Sequence, residues 1–350
     1  MSKYRYKDSE YKKRLKKEAE KVAVKAEESN KESQKAGLIF LDESKPIEER
    51  LEAAKKIGSF TEKKNINKSL KIFKNKNHPE ELRAYALSSI INQALSDESI
   101  KKETINALKE AEGAGKIATT ALTFLQHTQF SAPTFYENNT AEYKDALRSI
   151  IDHNNKNLSS SALEILSLAK DEYTQRRLIE SLEDAKNEII EPEIAIQLLS
   201  YDLHADHFPV LRKIAKNPPN SAAKKEAIRN LGTDEKAKDI LVNVIKDTEE
   251  DSETRHAAAT ALHCLHPEIA TQHSKRIIIE EEGEHLNDLK TALLNTLIFL
   301  EKKPDKKENV LRGVSSSSNN FIDKLSNMKR SSKSAEYNQM IDLYLDMKKE

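Results

Sequence analysis

The chain has no tryptophan, one cysteine, seven glycines and 5% aromatic residues among its 350 positions. Each scarcity excludes something. The single Cys264 cannot form an intrachain disulfide, which fits a reducing compartment. So few glycines leave no room for Gly-rich phosphate loops, and no Walker pattern, Gly-x-Ser-x-Gly elbow or His-Glu-x-x-His pair occurs. No stretch approaches the roughly 20 apolar residues of a membrane span; the most apolar, Thr291 to Leu300, is far too short. The start has no apolar run after its charges, so a signal peptide is not expected and the expected location is cytoplasmic. Lys plus Arg (58) equals Asp plus Glu (58), leaving no net field to draw in nucleic acid or an anionic membrane. Nothing points to a cofactor.

What is present is charge and helical periodicity. With 37% hydrophobic and 33% charged residues, the chain is too polar for one large core, yet its apolar residues recur too regularly for disorder. A thin stack of helices reconciles the two, because each layer buries surface only against its neighbours.

The recurrence is explicit. Taking Ala53 as an anchor, the same pattern returns at Ala86, Ala121, Ala162, Ala195, Ala227, Ala258 and, weakened, Leu293, at spacings of 33, 35, 41, 33, 32, 31 and 35 residues. One position on stand Ala54, Leu87, Leu122, Leu163, Ile196, Ile228, Ala259 and Leu294. Four positions on stand Ile57, Ile90, Leu125, Leu166, Leu199, Leu231, Leu262 and Leu297. Offsets of 0, 1 and 4 form one stripe of an α-helix, and a small anchor lets a neighbouring helix approach closely. More charged helices are expected between these, near 67–74, 97–111, 142–153, 172–184, 206–216, 234–247 and 268–280. No long period-two alternation occurs, so strands are not expected.

Two repeats add a further signature, Pro-x-x-x-Arg-x-x-Ala, in Pro46, Arg50, Ala53 and in Pro79, Arg83, Ala86. The pattern resembles the HEAT repeat, especially the short HEAT-like form of the phycobilisome lyases, over roughly residues 46 to 302. Ala118, Ser159 and Pro192 stand where the basic residue would be in the middle repeats. The resemblance implies an all-α fold: an α-α superhelix, a right-handed helical-hairpin solenoid of about eight repeats. Residues 37–302 would form the solenoid, 1–36 a charged N-terminal arm, and 303–350 a polar linker and C-terminal amphipathic helix. In the arm, Lys3 to Lys25 holds ten basic residues against four acidic ones. The last helix, with Tyr337, Ile341 and Tyr344 on one face, would cap the final layer or hang free.

Function is expected where the register breaks. The 41-residue interval inserts Phe130, Pro133, Phe135 and Tyr136 into an aromatic-poor chain. Insertions in repeat arrays fall in loops on one face, often the binding face; the alternative is that the rings fold back to fill a widened layer. Basic residues on the second helices are the other candidates: Arg176, Arg177, Arg212, Lys275 and Arg276, with Lys68, Lys71, Lys236 and Lys238. Glu180, Glu183, Glu235 and Asp239 share those helices, so a solvated mixed-charge face competes with a basic track. His204, His207, His263, Cys264, His266 and His273 are ligand-like types, but one cysteine makes a poor structural zinc set, and helix-end roles are favoured. The expected activity is therefore non-enzymatic: a scaffold gripping an unidentified protein partner with its concave face and aromatic insertion. A nucleic-acid binder similar to the HEAT-like alkylation-repair glycosylases is one alternative, opposed by the absent tryptophan and zero net charge. A lyase-like chaperone of the phycobilisome type is the other, resting on the resemblance alone.

Overall fold

A computed structural model describes residues 2–92, 97–110, 115–129, 131–202, 206–301 and 315–349. Among them the regular structure is helical throughout, with no strand. Residue contacts divide the chain into two units, residues 1–166 and residues 167–350.

The first unit holds α1 (Ser2–Phe40), α2 (Ile47–Ala54), α3 (Lys63–Lys74), α4 (Glu80–Ser89), α5 (Glu98–Leu108), α6 (Lys116–Gln129), α7 (Pro133–Asn138) and α8 (Thr140–Arg148); α9 (Lys156–Leu168) contains the boundary. Helix α2 packs on α1 and α4, α4 on α3 and α6, and α5 on α6 and α8. The second unit holds α10 (Glu172–Glu183), α11 (Pro192–Leu199), α12 (Phe208–Lys216), α13 (Ser221–Asn230), α14 (Lys238–Lys246), α15 (Ser252–Leu265), α16 (Pro267–Glu280), α17 (Asn287–Glu301), α18 (Ser315–Ser331) and α19 (Ala335–Met347). Here α11, α13, α15, α17 and α19 pack successively, each on the next. Helices α10, α12 and α14 form a second row, and α16 packs on α18.

The register is the core. All eight anchors are buried, as are the eight residues one position on, and seven of the eight residues four positions on; only Ile57 is half-buried. Seven of the anchors are alanine (Ala53, Ala86, Ala121, Ala162, Ala195, Ala227 and Ala258), whose small side chain suits a buried helix contact.

The Pro-x-x-x-Arg signature has a physical meaning that the packing makes plain. The last carbonyls of a helix have no intrahelical partner. Arg50 Nε donates to Phe40 O at 2.9 Å, Arg83 Nε to Phe73 O at 2.9 Å, and Arg255 Nε to Ile245 O at 3.1 Å, each acceptor lying ten residues back at the end of the preceding helix. Lys290 makes the corresponding bond to Glu281 O at 2.5 Å, nine residues back. Each buried cation thus closes a helix–turn–helix unit. Two of them also reach forward: Arg83 Nη2 lies 2.7 Å from Glu110, and Arg255 grips Glu281 with two bonds of 2.8 and 2.7 Å. Lys224, the cation of the intervening repeat, pairs forward with Glu250. Arg255 therefore ties α14, α15 and the end of α16 together. Where Ala118, Ser159 and Pro192 stand, this device is absent. Helix starts are closed separately, by the side chains of Asp97, Asp171, Asn220, Asp251 and Ser334 accepting from first-turn amides.

At the N-terminal end, helix α1 is continuous from Ser2 to Phe40 and runs through residue 36. Its exposed surface carries Glu–Lys pairs at i,i+4 such as Glu27–Lys31 at 2.7 Å, while Ala36, Phe40 and Leu41 are buried beside α2. The serine run at 315–318 is not a connector: it opens α18, because Phe321 and Leu325 bury and carry the helix back through it. Residues 302–314, within the expected linker, lie outside the described residues. Helix α19 packs on α17, with Tyr337, Ile341 and Tyr344 buried.

Removing Arg255 leaves Glu281 half-enclosed without its cation and strands the Ile245 carbonyl. Arg255→Met should destabilise the second unit by about 3 kcal/mol, and Arg255→Lys, which keeps charge but loses the fork, by about half that. Urea denaturation monitored by circular dichroism measures both; equal stability of Arg255→Met and wild type would refute this role.

Candidate functional site

The aromatic insertion is not an exposed loop. Pro133 opens the short helix α7, and Phe135 and Tyr136 are 3% and 8% exposed. Phe135 meets Tyr136 edge-on at 5.3 Å, Tyr136 meets Tyr143 at 5.4 Å, and the buried Lys101 ammonium lies 4.8 Å above the Phe135 ring. The Tyr136 hydroxyl donates to Leu125 O at 2.7 Å, so it closes the end of α6. The expectation that Phe135 and Tyr136 are surface anchors is corrected accordingly. They fill the widened layer, since burying two rings and one terminal carbonyl outweighs leaving them wet. Burial raises the pKa of both the Tyr136 and Tyr143 hydroxyls. Phe130 lies outside the described residues.

Four of the basic candidates lie beside an acid. Arg177 lies 3.8 Å from Glu180, Arg276 is 3.8 Å from Glu280, and Arg212 pairs with Asp234. Lys275 contacts Glu301 at 3.1 Å and lies 5.3 Å over the Phe321 ring. Glu301 also accepts from Lys348 and from the Tyr344 hydroxyl at 2.9 Å. Burial disfavours its charge, but the Lys348 and Lys275 ammonium groups win and hold the carboxyl below its ordinary range. Lys275 is therefore part of a knot joining α16, α17, α18 and α19. Of the five, Arg176 and Arg276 are exposed, and Arg276 lies along its own helix beside Glu280. Among the described residues these cations share their surface with acidic side chains.

The histidines do not converge either. Among the described residues no group of three His, Cys, Asp or Glu side chains is placed to hold a metal ion. His204 lies outside the described residues. His207 is 2% exposed, lies 4.9 Å from the Phe208 ring at a tilt of 48°, and has no partner for Nδ1 among the described residues.

The second unit does carry a concave feature that sequence reasoning missed. Between α15 and the end of α13 with its following 3-10 turn runs an open trough of about 600 Å³. Its floor is made of Gly232, Ala257 and Ala261; its walls are Arg229, Glu253, His256, Thr260 and Cys264. The trough exists because the floor residues have almost no side chain. A Cβ at Gly232 would stand 3.3 Å from Ala261 Cα, closer than ordinary packing tolerates. The walls are polar and of both signs: Arg229 is paired with Glu226, Glu253 with Lys225, and His256 Nε2 lies 3.4 Å from Thr296 Oγ1. Burial, and then the Arg229 charge, lowers the His256 pKa. Cys264 is exposed at the rim. The one sequence signal for this trough was the small-residue run of α15 beside Gly232, which reads equally well as packing. Chemically, the trough offers hydroxyl, imidazole and paired charges above an apolar floor. That suits an extended polypeptide better than a small ligand needing enclosure.

Gly232→Val should push α13 from α15 and destabilise the chain by about 1–3 kcal/mol, read as a lower urea midpoint. A midpoint equal to wild type would show that the close approach is not needed. Burial, despite Asp202 and Asp206, also lowers the pKa of His207 below its ordinary 6.5. A depressed imidazole contributes stability at pH above 6.5 that is lost as pH falls toward its folded pKa. The thermal midpoint should therefore drop between pH 7.5 and 5.5, and drop less in His207→Leu; an unchanged drop would contradict this. Comparison of the chain with protein-family models found no match, and comparison with curated proteins found none either.

Proposed function

We propose that the chain is a HEAT-like repeat protein, its helix pairs stacked as an α-α superhelix, and that it serves as a non-enzymatic scaffold for a protein partner. The trough between α13 and α15 is the proposed contact, taking an extended segment of the partner along its Gly232–Ala257–Ala261 floor. The observation that carries the reading is the trough itself: small floor, hydroxyl and imidazole walls, and charges already paired, a surface suited to backbone and polar side chains rather than to phosphates. The repeat assignment is supported by the recurring bond from a register cation back to the preceding helix's last carbonyl at Arg50, Arg83, Arg255 and Lys290. The proposed contact does not include Phe135 and Tyr136, which are buried.

A photo-crosslinking residue placed at Thr260 should capture a discrete protein species from the source cell. Adding His256→Glu should abolish that capture, while Arg176→Glu, on an exposed face outside the trough, should leave it intact. Capture that is diffuse, or indifferent to His256→Glu, would count against the trough as the contact.

A further inference from the structure

The forward bonds of the register cations form a series. Arg83 reaches Glu110 at 2.7 Å, Arg255 reaches Glu281 at 2.7 Å, and Lys224 reaches Glu250, each carboxylate standing just past the end of the next helix. Arg50 breaks the series. Its Nε donates to Phe40 O at 2.9 Å like the others, and the residue is 2% exposed, yet Nη2 has no hydrogen-bond partner among the described residues. The corresponding positions in its own repeat, just past the end of α3, hold Lys76 and Asn77 in place of a carboxylate, and Lys76 itself turns to Glu110 at 2.9 Å. The half-buried His78 follows. Burial, then the Arg50 charge, lowers its pKa, with Arg83 acting the same way and the exposed Glu43 opposing. Glu43 makes no ion pair with Arg50 among the described residues. A buried cationic nitrogen without an acceptor is costly.

We propose that Arg50 Nη2 is a binding site for an external carboxylate, which takes the place that Glu110 and Glu281 take for Arg83 and Arg255. The nitrogen lies below the surface, so the ligand reaches it by a local shift of the side chains around it. The ligand class follows from the series: a planar carboxylate matched to a guanidinium fork, supplied by a free anion or by an Asp or Glu side chain of a polypeptide. The site belongs to the first unit and does not depend on the trough of the second.

Thermal unfolding of the full chain at pH 7 and fixed ionic strength tests the proposal, with sodium acetate replacing chloride. Acetate should raise the midpoint by about 2–4 °C, the order of shift that modest ligand stabilisation gives a unit of this size. Lys76→Glu or Asn77→Glu, which offers an internal carboxylate, should raise the midpoint in chloride and cancel the acetate increment. A tetraglutamate peptide effective at a hundredfold lower concentration than acetate assigns the site to an acidic polypeptide; acetate alone assigns it to a free anion. The proposal is overturned if neither acetate nor the peptide shifts wild type, or if both Glu variants keep the full acetate increment.

Discussion

A helix that ends inside a protein leaves carbonyl oxygens with no partner, and the chain answers this with a buried cation drawn from the next helix. Arg50, Arg83, Arg255 and Lys290 all do so, at nine or ten residues' distance. The geometry fixes how far the following helix begins from the end of the preceding one, and hence the register in which Ala53, Ala86 and Ala258 meet their neighbours. A guanidinium has donors to spare, so at Arg83 and Arg255 the same side chain goes on to a carboxylate at the end of the following helix. Packing between layers is apolar and tolerant of sliding; these bonds are directional and supply the specificity that apolar packing lacks. At Glu281 the device is doubled, its carboxylate accepting from Arg255 and its carbonyl from Lys290.

The surface follows from the same economy of charge. Several of the candidate cations on the second helices are committed to acids nearby, Arg212 to Asp234 and Lys275 to Glu301 among them, so these positions carry paired rather than free charge. Concavity arises instead where side chains are smallest. Gly232 and Ala261 draw α13 and α15 together, and the trough above them is the by-product of that close approach.

Much of the fold was legible in the sequence because helix packing leaves a one-dimensional trace: a stripe at offsets 0, 1 and 4 that returns at nearly regular intervals, and a basic residue three positions before the anchor. The acceptors of that basic residue were not legible, since Phe73 O is a backbone atom and Glu110 stands at the end of another helix altogether. The aromatic insertion could be read either way, because Phe135 and Tyr136 have the same composition whether they anchor a partner or fill a layer; the hydroxyl of Tyr136 and the open end of α6 decided it. The serine run at 315 resembled a linker by composition, and Phe321 and Leu325 overrode it through burial. The trough was illegible for the opposite reason: it is made by side chains that are not there.

The central claim is that the register cations couple one repeat to the next. A double-mutant cycle on Arg83 and Glu110, with Arg83→Met, Glu110→Gln and the pair compared by urea denaturation, tests it most directly. Coupling of about 1.5–3 kcal/mol is predicted for a largely buried, charge-assisted pair. Effects that add to within about 0.5 kcal/mol would contradict it, and would leave apolar packing alone to set the register.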